Sequence, residues 1–184
     1  QINLQYADQQ MLTVNARDLS QVVTEVLDGV LVVNVPNKSY EPMVLDIAVP
    51  TLSLIRAVGA CSIDNEHANV LIADNLTIDL AGAAEADLDL QVKTLTVDAK
   101  GAASLDLSGE ADNVTITVAG AGDVDAEALI TQIMHINCAG ASEADIYVTK
   151  ELWAQAAGAS KISYKGNPRI KQSIAVGGSW IEKD

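Results

Sequence analysis

Phenylalanine is absent from this 184-residue chain, and with two Trp and four Tyr the aromatics amount to 3% of it. A core built on large rings is thereby excluded. Hydrophobic residues nevertheless make up 49%, enough for a packed interior and too many for intrinsic disorder. The apolar mass is small and aliphatic, with Ala at 27 positions, so the core must be narrow. Basic side chains are the second shortage. Eleven Lys and Arg stand against 25 Asp and Glu, giving a formal charge of −14 and a pI near 4.3. That balance excludes nucleic acid and anionic lipid as partners, because both repel it. No stretch reaches the 18 or more consecutive apolar residues of a membrane helix, so no membrane span is expected. Cys61 and Cys138 are too few for a disulfide framework and lack the CxxC spacing of zinc or redox sites. The chain opens at Gln1 without Met, basic n-region or apolar h-region, which fits a mature or trimmed segment whose leader lies outside these residues.

What is present is a repeat. Gly59, Gly82, Gly101, Gly120, Gly140 and Gly158 each sit in a short small-residue motif, as in Leu80-Ala-Gly-Ala-Ala-Glu-Ala86 and Cys138-Ala-Gly-Ala-Ser-Glu-Ala144. Their spacing is nearly even, so half of the chain's 12 glycines share one register. A seventh, degenerate copy reads Ile174-Ala-Val-Gly-Gly-Ser-Trp180, with Val176 at the glycine position. Around each glycine apolar and polar residues alternate with period two, the pattern of a strand with one buried face. Leu76, Ile78, Leu80, Leu88 and Leu90 point one way, and Thr77, Asp79, Glu85, Asp87 and Asp89 the other. A unit of about 19 residues with two short strands cannot bury its face alone, so neighbours must stack as coils of a solenoid. A β-sandwich also uses short, evenly spaced strands, but it has no need of a Gly-Ala corner in every repeat.

Residues 1–50 lack the repeat and read as strands at Leu12 to Val14, Val22 to Val26 and Val30 to Val35. Turns are expected at Asp28-Gly29 and around Pro36-Asn37-Lys38. The expected organisation is one domain over 1–184, with 1–50 as an N-terminal β cap and 51–184 as β-helix repeats. Cys61 falls in the first coil and Cys138 in the fifth, both inward. Four steps of about 4.8 Å separate them by roughly 19 Å, too far for a disulfide, so both are expected as buried free thiols.

Three stretches carry a family resemblance: Thr24-Glu-Val-Leu-Asp-Gly-Val-Leu-Val-Val33, Val44-Leu-Asp-Ile-Ala-Val-Pro-Thr-Leu52, and the repeated Gly corners followed by Tyr164-Lys-Gly-Asn-Pro168. In this order they resemble the auto-transporter adhesin, head GIN domain family, over nearly the whole chain. The resemblance implies a right-handed, single-stranded parallel β-helix of about seven coils. It also implies export in Bacteroidetes-type bacteria, to the periplasm, the outer-membrane surface or the medium. It brings no catalytic residues. Family members commonly carry Ser-Gly-Ser-Gly corners, whereas Ala81, Ala83, Ala119, Ala121, Ala139, Ala141, Ala157 and Ala159 flank the glycines here. That departure argues against a serine ladder as a binding surface and leaves a stripe of small apolar side chains.

Among candidate sites, the outward acids Glu85, Asp87, Asp106, Asp123, Asp125, Glu143 and Asp145 fall on successive coils. Stacked carboxylates can bind Ca²⁺ or act in pairs on a glycosidic bond. They equally make a solvated strand face that resists aggregation, which is the favoured reading because no Ca²⁺ loop spacing is present. Asp64-Asn-Glu-His67 is loop-like and lacks the EF-hand glycine. The outward position five before each glycine reads Thr77, Thr96, Thr115, His135, Trp153. An exposed Trp153 beside His135, with Tyr147 nearby, forms an aromatic platform of the kind that holds a sugar ring; packing against the tail or a second subunit is the plainer role. Neither His67 nor His135 has a nucleophile context. The glycine motifs precede no helix and carry no Walker lysine.

The favoured function is therefore a non-catalytic, exported adhesin or binding module for a polysaccharide or protein surface ligand, needing no cofactor or metal. A pectinase-like polysaccharide-active β-helix enzyme is the first alternative. With Arg17, Arg56 and Arg169 the only arginines, the cationic site of an acidic-polysaccharide lyase is missing. A self-associating structural or lipid-contacting module, acting as a homo-oligomer through the Ala stripe, is the second.

Overall fold

The computed structural model describes residues 1–35, 43–65 and 69–184. Its strands, in chain order, are β1 (Ile2–Tyr6), β2 (Met11–Asn15), β3 (Val23–Leu27), β4 (Val30–Asn34), β5 (Val44–Val49), β6 (Leu54–Gly59), β7 (Ser62–Asp64), β8 (Leu71–Gly82), β9 (Glu85–Gly101), β10 (Ser104–Gly120), β11 (Asp123–Gly140), β12 (Glu143–Gly158), β13 (Lys161–Gly166), β14 (Arg169–Gly177) and β15 (Trp180–Lys183). No α-helix occurs among the described residues.

Each of β9 to β12 is one nearly complete coil, a strand of 16 to 18 residues that bends without losing its ladder. Consecutive coils pair in parallel, so the chain is a β-solenoid of about seven turns. The parallel register excludes the sandwich, whose strands would pair antiparallel. Its alignment follows the glycines: Gly59, Gly82, Gly101, Gly120, Gly140 and Gly158 are Cα partners in series. Sterics explain the column. Gly120 has φ +128°, and a Cβ there would lie 2.3 Å from the Gly101 carbonyl oxygen, closer than any side chain tolerates.

The column also corrects the last repeat. Val176 pairs with Ala157, and Gly177, at φ +79°, pairs with Gly158. The corner needs a positive φ that a β-branched residue resists, so the register slides by one and the final copy is regular.

Alternation along each strand sends Leu80, Ala99, Val118, Cys138 and Ala156 into one inward column, and Leu76, Leu95, Val114, Met134 and Leu152 into another; all are buried. Burying one such Leu stabilises by about 1.5–3 kcal/mol. Cys138 is buried, Cys61 half-buried, and both are free thiols.

Before Thr51, β2, β3 and β4 fall on the expected segments. Asp28 (φ +50°) and Gly29 (φ +80°) make the expected hairpin turn. β1 is a strand beyond those expected, although Ile2, Leu4 and Tyr6 alternate with Asn3 and Gln5. It pairs in parallel with β5 on one side and β7 on the other, Ile2 lying between Leu45 and Ile63. The sheet thus continues from the coils into the N-terminal segment, and β2 closes it antiparallel to β5. The expected turn at Pro36-Asn37-Lys38 lies outside the described residues, as do Glu66 and His67. Asn65 is buried: its amide donates to the Asn69 and Asp89 carbonyls and accepts from the Asp89 N–H, at 2.8 to 2.9 Å. Its role is to satisfy backbone groups where the coil is irregular.

Candidate functional site

The first run of each coil, from β7 through β12, turns two outward columns to solvent. One is an unbroken series of aspartates, Asp64, Asp87, Asp106, Asp125 and Asp145, each the Cα partner of the next. The other holds Glu85, Ser104, Asp123, Glu143 and Lys161. The acids expected on one face therefore share it, with Asp123 in the neighbouring column. Lys161 bonds Glu143 (3.1 Å) and lies 3.6 Å from Glu182, and beyond it the column runs on to the exposed Trp180. Asp145 is the aspartate whose carboxyl is pushed up from its ordinary value, first by burial and then by the charges of Glu143 and Glu127, against the pull of Ser163 and Lys161. Among the described residues, no group of three or more His, Cys, Asp or Glu is arranged to hold a metal.

The second run carries the column of Thr77, Thr96, Thr115, His135 and Trp153 in strict register. His135 and Trp153 stack, with ring centroids 4.2 Å apart and planes 9° from parallel. The ammonium of Lys171, in the following coil, lies 5.8 Å from the Trp153 ring centre and bonds Glu151 at 3.0 Å. Trp153 is consequently half-buried rather than exposed. Stacking along the solenoid axis turns the ring faces toward neighbouring coils and the ring edges toward solvent. Tyr147 is the Cα partner of Ile130 and Lys165, at the bend, and so stands in another column than Trp153.

A third feature lies at the bend between the two runs. Over β8 to β11 the side chains on either side of the bend diverge, leaving a groove of about 640 Å³. Ile72, Gln91, Glu110 and Ile130 form one wall in Cα register. Asp74, Lys93, Asp112 and Gln132 form the other. The floor is Ala73, Val92 and Ala111. Lys93 bonds Asp74 at 2.7 Å, which holds its ammonium above the ordinary value. Gln132 donates to Asp112 and accepts from Lys150, both at 2.5 Å, so this wall is fixed by its own hydrogen bonds. Sequence reasoning overlooked the groove. A signal for it exists in the series Asp74, Lys93, Asp112, Gln132, spaced at the coil step.

Solved structures of the same architecture cover the whole of this chain. A putative adhesin from Bacteroides fragilis superposes with a TM-score of 0.94 at 23% identity, over 100% of this chain and 87% of that one. A putative adhesin from Parabacteroides distasonis gives 0.75 at 17%, over 100% and 88%. A putative lipid binding protein from the same species gives 0.65 at 17%, over 100% and 88%. At these identities the likeness is one of fold. No functionally curated protein matches the sequence. The family assignment rests on sequence instead: the family described as putative auto-transporter adhesin, head GIN domain, matches residues 1–168, and this chain belongs to it.

Proposed function

We propose that this chain is a non-catalytic binding module, exported to the cell surface, which holds a repeating surface polymer, polysaccharide or protein, against the outward faces of its solenoid. The observation that carries this reading is the register of those faces. Side chains of one kind recur once per coil, as in the five-aspartate column, on a sheet whose backbone groups are already paired. Such a surface is matched to a ligand that itself repeats. Membership of an adhesin family supports the same reading. Asp87, Asp106, Asp123, Asp125 and Asp145 offer carboxylate acceptors for a ligand's hydroxyl and amide donors on one run, and His135, Trp153 and Tyr147 the aromatic edges elsewhere.

The test is a glycan and matrix-protein array probed with the labelled chain, followed by assay of retained polymers for cleavage. Retention without product release is expected, weakened severalfold by Trp153→Ala. Cleavage abolished by Asp123→Asn or Asp125→Asn would instead make the chain a polysaccharide-active enzyme and overturn the reading. A lipid-contacting module is the second reading, favoured by the exposure of Val26 (68%) and Leu27 (54%) on β3. The structural neighbour described as a lipid binding protein also supports it. Flotation with neutral phosphatidylcholine vesicles decides between the two, and the chain is expected to stay behind.

A further inference from the structure

We infer that the bend groove between the two runs is a subsite for an uncharged, linear, extended glycan lying parallel to the solenoid axis. The inference rests on the binding-module reading but uses neither the aspartate column nor Trp153.

Size comes first. The groove, about 640 Å³, falls within the usual range for small-molecule sites. It crosses four coils, so its length is three steps of about 4.8 Å, or about 14 Å. This suits a few sugar rings in a row, each over one coil.

The lining then selects the class of ligand. Ile72 and Ile130 are 57% and 47% exposed, apolar surface that a ligand in the groove would cover. They sit at the two ends of one wall, where the C–H face of a pyranose would cover them. Between them the side chains of Gln91 and Glu110 make no hydrogen bond among the described residues, and so are free to meet hydroxyl groups. On the opposite wall, Asp112 and Gln132 are held in place by their bonds to each other and to Lys150. Prearranged polar groups lose little freedom on binding.

Charge narrows the choice. Asp74, Glu110 and Asp112 face a single groove ammonium, Lys93, which Asp74 already engages. A polyuronide or sulfated chain would be repelled. Backbone pairing excludes the other extended polymer. A peptide in a groove is read largely through main-chain hydrogen bonds to an open strand edge. Here β9, β10 and β11 are paired on both sides and β8 pairs with β9, and a ligand lying along the solenoid axis runs across these strands, so it cannot add to one of them as a further strand. A ligand recognised by side chains alone, through hydroxyls and C–H faces, is a neutral glycan.

The experiment is a ¹⁵N-NMR titration of the full chain with cellohexaose, xylohexaose and N-acetylchitohexaose, with hexagalacturonate as the anionic comparison. Shifts are expected at residues 72–74, 91–93, 110–112 and 130–132 with at least one neutral hexamer. The dimer of the same sugar should bind at least tenfold more weakly, because it spans fewer coils. Ile130→Glu should weaken binding at least tenfold at an unchanged melting temperature; Gln91→Ala, on the exposed wall, should weaken it severalfold and stands in if Ile130→Glu is destabilised. No shift with any neutral hexamer, a preference for hexagalacturonate, or full affinity in both groove variants overturns the inference. Shifts confined to the His135–Trp153 column overturn it while leaving the binding-module reading standing; loss of all array binding removes that reading as well.

Discussion

At the residue scale, Cys138 shows how the narrow interior sets chemistry. It occupies the inward column between Val118 and Ala156 with no exposed surface. Burial pushes its thiol from an ordinary 9.0 up to about 11, against the Ser142 hydrogen bond that favours the thiolate. A raised value means the folded chain keeps a proton that the unfolded chain gives up. The contribution of this group is therefore complete below pH 9 and is lost as the pH rises through 11, by about 2–3 kcal/mol in all. Urea midpoints taken between pH 8 and 11 should fall more steeply for the native chain than for Cys138→Ala, which fits because Ala99 and Ala156 hold the same column. Parallel slopes would contradict the assignment. The native thiol should also resist an aromatic disulfide reagent until the chain unfolds, whereas Cys61, half-buried with its thiol also raised by desolvation, should react first.

At the scale of the element, the coil is defined by its glycine corner, and two glycines separate its causes. Gly59, at φ +106°, has nothing within 4 Å of where a Cβ would stand, because it begins the column. Gly120 has the same kind of backbone and a carbonyl oxygen 2.3 Å away. Gly59→Ala should cost about 1–2 kcal/mol of backbone strain. Gly120→Ala should cost clearly more, since the backbone at Gly101 must also move; thermal melts of the two variants measure the difference, and equal losses would show that stacking adds nothing to the corner. These corners were legible because a positive φ leaves glycine at a fixed step in the chain. The bend at Gln91-Val92-Lys93 left a fainter mark. Leu88, Leu90 and Val92 are buried at one parity and Leu95, Val97 and Ala99 at the other, so the period-two pattern skips a step there, as it does between Ala111 and Val114; the skip marks where the inward face changes and not that a groove lies outside it. Ile2–Tyr6 carries the alternation of a strand in Ile2, Leu4 and Tyr6, but it has no corner glycine to tie it to the repeat, and its partners at Leu45 and Ile63 lie far along the chain. Trp153 lies in the column with His135, but its half-burial comes from long-range neighbours, His135 stacked on the ring and the next coil, whose Gln172 is its Cα partner and whose Lys171 ammonium lies 5.8 Å from the ring centre.

For the whole molecule, the −14 charge matters through its arrangement. Parallel stacking in strict register sets Asp106, Asp125 and Asp145 one above another, about 4.8 Å apart at the strand spacing. Each neighbouring pair repels by about 1 kcal/mol in water and by more near a protein surface. The unfolded chain, free to spread its charges, is spared most of this. Folding is therefore opposed by the same column that the proposed function uses. Asp125 is the central test, because the Glu127 N–H donates to its carboxylate at 3.1 Å and an amide oxygen can accept that bond equally well. Asp125→Asn should raise stability at low ionic strength by about 1–2 kcal/mol, seen as a melting temperature higher by roughly 2–8 °C for a chain of this size. In molar salt, where the screening length is about 3 Å, shorter than one coil step, the gain should shrink toward zero. A gain that persists undiminished in molar salt would mean that Asp125 is strained by packing rather than by its neighbours. A loss at low salt would mean that the column is held by a bound cation, which would make the aspartate face itself a ligand site.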